Sequence, residues 1–303
     1  MKKFIILLLS FLLLISCSQE QTSGEKSKKI SILTPFLSSV TTKQMVDELE
    51  ERAKANGWKV NIVDTTGDVG ALASRMEDVI SSNTDAIVLV STDPNQVKSQ
   101  IAMANEKNIP IFGCDSSYIE GMTLNATSDN AAMSKMITEH LFELMGNKGT
   151  LIVLTHRPHP GVLKRTEILE EMLKENPGIK VITEQEIKVP GPIENARQQV
   201  ENLLLSNPEK DSITAIWAGW DEPAIGAAQA IQAAKRENII VTGIDGNSQA
   251  VEMIEKGSPI KATVKQNFVG MAEIVSEQMK NVFDGKKVEK TEMYAPAELI
   301  KSK

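Results

Sequence analysis

The 303-residue chain is poor in the groups on which most catalytic and nucleic-acid-binding proteins depend. Its two cysteines, Cys17 and Cys114, are too few for a disulfide framework. It has three histidines, His140, His156 and His159. A metal site needs three or four ligands, so no metal and no cofactor is expected. Basic residues are outnumbered, 33 Lys and Arg against 40 Asp and Glu, which excludes the positive surface that nucleic acid demands. There is no Gly-x-Ser-x-Gly elbow, no Gly-x-x-x-x-Gly-Lys-Ser/Thr loop and no His-Glu-x-x-His, so nothing points to an enzyme. Aromatic residues make up 4% of the chain, which makes each of them informative. The one long apolar run, Phe4 to Ile15, is 12 residues, where a membrane-spanning helix needs roughly 20.

That run follows Met1-Lys2-Lys3 and ends in Leu14-Ile15-Ser16-Cys17. The whole resembles a bacterial lipoprotein signal peptide. The resemblance implies removal of residues 1–16, a diacylglyceryl group on the Cys17 sulfur, and a folded part held outside the cytoplasm on a membrane. Ser18 to Lys29 is polar and reads as a flexible leash, so residues 17–29 are lipid attachment and linker. Cys114 is then left without a partner and reads as a small buried hydrophobe. Without Lys2 and Lys3 the balance is 31 basic against 40 acidic, a net charge of −9, which also disfavours peripheral binding to anionic lipid. The remaining length suits two domains.

Beyond the leash, short β-rich runs alternate with helical patterns. Strands are expected at 30–33, 59–63, 86–90, 109–113, 151–155, 180–183, 215–218, 239–243 and 260–264, with eight helical patterns between and after them, from 43–56 to 269–283. This alternation means βαβ units and parallel sheet. The chain also echoes itself. Asn108-Ile109-Pro110-Ile111-Phe112-Gly113-Cys114-Asp115 matches Asn238-Ile239-Ile240-Val241-Thr242-Gly243-Ile244-Asp245 as Asn-Ile-x-apolar-x-Gly-x-Asp. Upstream of each, an Ala-Ile pair leads to an Asp and a Pro: Ala86-Ile87 to Asp93-Pro94, and Ala215-Ile216 to Asp221-Glu222-Pro223. The expected fold is α/β, two similar doubly wound parallel-sheet lobes. Ligands bind beyond the carboxyl ends of such strands, so Asp115 and Asp245 should face one cleft.

Asp115, Thr127-Ser128-Asp129-Asn130, Arg165, Asp221-Glu222, Gly243-Ile244-Asp245-Gly246 and Ala262-Thr263-Val264-Lys265-Gln266, in this order, resemble the ribose/galactose type of periplasmic binding protein. Members are substrate-binding components of sugar ABC importers. The resemblance implies a three-segment hinge near Thr127–Asp129, Val264–Asn267 and Glu292–Tyr294. The first lobe would be 30–127 plus 267–291, and the second 128–266 plus 292–303. It further implies a sugar or polyol ligand, a membrane permease as partner and a monomer. Ligand contacts are carried over to Asp115, Asp245, Arg165, Gln266 and Ser128. Thr41-Thr42 stand near a Phe-Phe pair of ribose binders, Ser116 replaces an arginine and Ile244 a phenylalanine, so a hexose, a polyol or a cyclitol fits as well as ribose.

The residue chemistry agrees with such a ligand. A carboxylate accepts hydroxyl protons and Arg or Gln donates back. Counting by two along Ile216-Trp217-Ala218-Gly219-Trp220-Asp221 puts Trp217 in the core and Trp220 at the cleft, as a platform for a sugar face. Trp58 reads as packing. The segment Thr155-His156-Arg157-Pro158-His159-Pro160-Gly161 should overhang the cleft, with His156 or Arg157 bonding ligand. Asp93-Pro94 and Asp221-Glu222-Pro223 read as helix starts. Two other functions share this outline: a ligand-sensing partner of a chemoreceptor or sensor kinase, and an extracellular sugar hydrolase. A repressor on the same lobes would need an N-terminal helix-turn-helix where this chain has signal and leash.

Overall fold

The computed structural model describes residues 27–236 and 238–302. The expected signal segment and Cys17 lie outside the described residues. Strands β1 (Lys29–Thr34), β2 (Lys59–Asp64), β3 (Ala86–Val90), β4 (Ile111–Cys114) and β5 (Leu124–Thr127) form one sheet with β11 (Glu292–Tyr294), in the order β11-β5-β4-β3-β1-β2. Strands β6 (Gly149–Thr155), β7 (Ile179–Glu186), β8 (Ala215–Ala218), β9 (Ile240–Asp245) and β10 (Ile260–Lys265) form the second with β12 (Glu298–Lys301), in the order β12-β10-β9-β8-β6-β7. Leaving out the sixth strands, the two orders are the same doubly wound topology. Every pairing is parallel except β10 with β12.

The sequence pattern explains the layers. β3, Ala-Ile-Val-Leu-Val, is buried along its whole length because helices cover both faces of its sheet. Helices α1 (Val40–Ala55) and α9 (Phe268–Phe283) pack Met45, Val46, Leu49, Met271 and Val275 on one face. Helices α2 (Val69–Ser81) and α3 (Lys98–Glu106) pack Leu72, Met76, Val79 and Ile101 on the other. In the second lobe α4 (Asn130–Met145) and α5 (Pro160–Glu175) cover one face with Leu141, Phe142 and Leu169 around Trp217. Helices α6 (Pro192–Ser206), α7 (Asp221–Ala233) and α8 (Ser248–Glu255) cover the other. Trp217 is fully buried and its Nε1 donates to Thr138 Oγ1 at 3.2 Å, while Trp58 packs edge-on against Phe283. Cys114 is buried and free, and burial pushes its thiol pKa well up.

The chain passes between sheets from β5 into α4, from β10 into α9, and between Tyr294 and Glu298. The third passage differs from expectation. Glu292–Tyr294 is not a hinge strand of the second lobe: it pairs in parallel with Asn125–Thr127, so these residues belong to the first sheet. The second lobe regains the chain only at Glu298, whose strand runs antiparallel to β10. Two of the passages end in capped helices: Asp129 accepts from Ala132 N at the start of α4, and Asn267 from Gly270 N at the start of α9.

The repeated glycine has a steric reason. A Cβ on Gly113 would strike Asn125, and one on Gly243 would strike Asp221, so each glycine admits a neighbouring polar side chain against its strand. Asp93 caps the short 3-10 turn Pro94–Val97 as its Asp-Pro pattern implies. Asp221-Glu222-Pro223 starts α7 as its pattern implies, but the aspartate is not the N-cap: that residue is Trp220, with extended φ −156°, and Asp221 is the first residue of the helix. Its carboxylate instead accepts from Asn247 N at 2.8 Å and Thr263 Oγ1 at 2.7 Å, tying α7 to the neighbouring strand ends.

Candidate functional site

The cleft between the lobes is assembled from corresponding strand ends. In the first lobe the chain leaving β1 supplies Phe36, Ser39, Thr41 and Thr42, that leaving β3 supplies Ser91, and that leaving β4 supplies Asp115. In the second, β6 leads to His156 and His159, β8 to Trp220 and Glu222, and β9 ends in Asp245. Helix α5 adds Val162 and Arg165, and the turn before α6 adds Val189. First, third and fourth strands of each lobe thus contribute in the same way. Counted with the space that opens to solvent, the cleft is about 460 Å³.

Asp115 and Asp245 are both 5% exposed and both have positive φ, 51° and 143°. Few residues other than glycine hold that region, and strain of this kind concentrates at ligand sites. Their electrostatics differ. Asp115 Oδ1 accepts from Thr127 Oγ1 at 3.4 Å, and His159 Nε2 of the other lobe stands 3.5 Å from Oδ2. Burial pushes the Asp115 carboxyl up, but His159, Arg165 and Thr127 together outweigh it and hold the pKa below the usual carboxylate value. Asp245 Oδ1 accepts from Gln266 Nε2 at 2.9 Å, with Arg165 Nη1 at 3.8 Å. Its burial, with the Asp221 and Asp115 charges nearby, raises its pKa well above the ordinary range despite Arg165 and Gln266. Behind it, burial pushes Asp221 up to about 6, against the bonds from Thr263, Asn247 and Gly246.

Arg165 is the largest buried cation of the cleft, 2% exposed. Its Nε donates to Asn130 Oδ1 at 2.8 Å and its Nη1 to the Gly219 carbonyl at 2.9 Å. One side chain therefore braces the first hinge passage, the turn before Trp220 and the Asp245 carboxylate.

The two histidines have defined tautomers. His159 Nδ1 accepts from Gly161 N and Val162 N, capping α5 ahead of Pro160, so its proton sits on Nε2, toward Asp115. His156 Nδ1 faces the Ile187 carbonyl at 3.0 Å and Glu186 Oε1 at 2.8 Å, so it carries the proton. Nε2 is then a buried acceptor without a partner among the described residues. Burial, with the nearby His159, holds the His156 pKa below the usual imidazole value despite Glu186. The rings of Phe36 and His156 meet edge-on at 5.5 Å, and His156 and Trp220 at 6.1 Å, so aromatic surface from both lobes lies at one side of the cleft.

Thr41, Thr42, Asp115, His156, Arg165, Trp220 and Asp245, all expected from the sequence, come together here. Gln266 stands behind Asp245 and orients it. Ser128 is buried in the hinge passage, off the cleft, with its hydroxyl unpartnered among the described residues. Arg157 does not overhang the cleft: its guanidinium pairs with Glu184 at 2.8 Å and Glu170 at 2.6 Å, which draw it outward and push its pKa up. Sequence reading missed Phe36, Ser39, Ser91, His159, Val162, Val189 and the role of Glu222. Phe36 and Ser91 follow strand ends, as Asp115 does, and that rule alone could have found them. Among the described residues no cluster of three or more His, Cys, Asp or Glu is placed to hold a metal ion, and no helix is long and apolar enough to cross a membrane.

A family model described as periplasmic binding protein domain matches residues 30–287. The ribose import binding protein of Bacillus subtilis (strain 168) is 29% identical over 97% of each chain. Among solved structures, the ABC transporter solute-binding protein of Agrobacterium vitis with bound allitol superposes with a TM-score of 0.86 at 27% identity, covering 92% of this chain and 96% of that one. The ABC transporter solute-binding protein of Bacillus halodurans C-125 with bound myo-inositol gives 0.82 at 25% identity, over 92% and 96%.

Proposed function

We propose, from the premise that the chain belongs to the periplasmic binding protein family, that it captures a neutral sugar or polyol outside the cytoplasm and delivers it to an ABC importer. One observation carries the reading: corresponding strand ends of two lobes bring Asp115, Asp245 and Arg165 into one buried cleft beside Phe36 and Trp220. Asp115, held ionised, accepts ligand hydroxyl protons, and Arg165 donates to a hydroxyl oxygen. His156 Nε2 supplies a further acceptor. Phe36 and Trp220 offer apolar surface to the CH-rich face of a sugar ring. Three acids, Asp115, Asp245 and Glu222, line the cleft with one guanidinium, so the cleft disfavours sugar phosphates and sugar acids. The hinge lets the lobes open for release. Capture without turnover suits a site built of mutually braced groups.

The lipid on Cys17 and the leash that follows belong to the same proposal, since an anchored binding protein stays near its permease. Changing Cys17→Ala should move the protein from the membrane fraction to the soluble one. The ligand reading is tested by melting the protein with ribose, xylitol, allitol and myo-inositol. At 100 times its dissociation constant a ligand adds about 2.7 kcal/mol, a visible shift. No shift with any of these or with a wider panel of neutral sugars would sink the reading.

A further inference from the structure

We propose that Glu222 is a positioning residue that couples the Trp220 ring to closure of the lobes; this rests on the cleft being the ligand site. Ser39, in the first lobe, and Glu222, in the second, are 183 residues apart in sequence, and Ser39 Oγ donates to Glu222 Oε2 at 2.8 Å. The same oxygen accepts from Trp220 Nε1 at 3.3 Å. One carboxylate oxygen therefore holds the indole within its own lobe and the opposite lobe at once.

Two features set this contact apart from incidental packing. Ser39 occupies the position just before α1, where a serine hydroxyl ordinarily caps the helix. It makes no side-chain cap bond, and its hydroxyl is turned across the cleft. Glu222 is 5% exposed, in the first turn of α7, and burial raises its pKa even though Ser39, Trp220 and the Val40 amide all favour its charged form. An acid serving only its own helix start would remain solvated. Here the carboxylate sits between the N-terminal ends of α7 and of α1 from the other lobe, where both helix dipoles favour it. When the lobes part, the bond to Ser39 is lost and the bond to Trp220, internal to the second lobe, is kept. A ligand resting on Trp220 thus meets a ring already held in the orientation that closure requires.

The test is a double-mutant cycle on Ser39 and Glu222, read in two ways. Affinities for ribose, xylitol, allitol and myo-inositol are measured by titration calorimetry, and compactness without ligand by small-angle scattering. Ser39→Ala and Glu222→Ala should each weaken the best of the four about 10-fold or more, the scale of one charge-assisted hydrogen bond. The double variant should be no weaker than Glu222→Ala alone. Glu222→Gln, whose carbonyl can accept both bonds, should bind within a few-fold of the wild type. Trp220→Phe keeps a ring but loses the N–H, and its effect should be smaller in the Glu222→Ala background than in the wild type. The single variants should be more extended without ligand, and Glu222→Gln should regain the wild-type compactness, which a loss of packing alone would not give. Affinity and compactness both at wild-type values in Ser39→Ala and Glu222→Ala would overturn the proposal, as would additive effects. If none of the four probes binds, the sugar reading falls, and the ligand-free scattering alone decides the latch: no difference between wild type and Glu222→Ala rejects it.

Discussion

Replacing Arg165 by methionine tests how far one buried guanidinium holds the second lobe and its site together. The substitution keeps an apolar stem but removes the guanidinium and its charge, with the bonds to Asn130 Oδ1 at 2.8 Å and the Gly219 carbonyl at 2.9 Å. Each charge-assisted bond is worth about 1.5–3 kcal/mol. The larger effect falls on Asp245, 3.8 Å away, which is left with the Asp221 charge and no cation beside it. Removing one partner of a buried pair costs about 3–5 kcal/mol, and the bond losses are part of that figure rather than additional to it. At about 2–4 °C per kcal/mol for a chain of this size, the melting temperature should fall by about 6–20 °C at pH 7. The loss should shrink as pH falls. Asp245 has a folded pKa raised above its unfolded value, so its contribution is most favourable below the unfolded pKa and declines as pH rises through the folded one. Arg165→Lys, which keeps the charge without the fork, should recover part of the stability but not the affinity. Calorimetric melting of the three proteins between pH 4 and pH 8 measures all of this. A methionine variant melting within about 2 °C of wild type across that range would refute the reasoning.

Two further perturbations address closure and protonation. Gly67 has φ +83°, and a Cβ there would lie 2.9 Å from Val189 O and Pro190 Cδ of the opposite lobe. Gly67→Val should therefore weaken ligand by about 10-fold or more through hindered closure, and backbone strain should lower ligand-free stability by about 1–3 kcal/mol; unchanged affinity by titration would show that the lobes do not meet there. Asp221 has its pKa raised from 3.8 to about 6, so its contribution is full below pH 3.8 and lost as pH rises to about 6, on the order of 3 kcal/mol. Denaturant unfolding of Asp221→Asn should show a weaker decline over that interval than wild type, and parallel pH profiles would contradict the assignment.

Much of this architecture was legible because several constraints fall on the same residues. The repeated Asn-Ile-x-apolar-x-Gly-x-Asp marks β4 and β9, whose core-facing residues, glycine and terminal aspartate serve packing, steric clearance and site at once. Trp217 and Trp220 were separable by strand alternation, and the structure buries the first in the core and sets the second in the cleft. The elements that escaped reading are those whose conformation is imposed from outside. β5 is Leu-Asn-Ala-Thr, four residues with only two apolar among them, too short for its alternation to stand out, and it is a strand because β4 and β11 pair with it on either side. β11 and β12 are three and four residues long, and α8 only eight, too short for a period to declare itself. The site had the same division. Glu222 looks in sequence like any acid in a first helical turn, and only the arrival of Ser39 from the other lobe distinguishes it. Arg157 could not be placed because its partners, Glu184 and Glu170, depend on how β7 and α5 sit against its loop.

The most direct measurement is a calorimetric titration of the sugar or polyol that raises the melting temperature most, into wild type, Asp115→Ala and Asp245→Ala. The account predicts one site per chain in the wild type and a loss of about 10-fold or more in each variant, since each removes a buried acceptor of ligand hydroxyls. Wild-type affinity in both variants would contradict it, because the ligand would then bind elsewhere than in the cleft between the lobes.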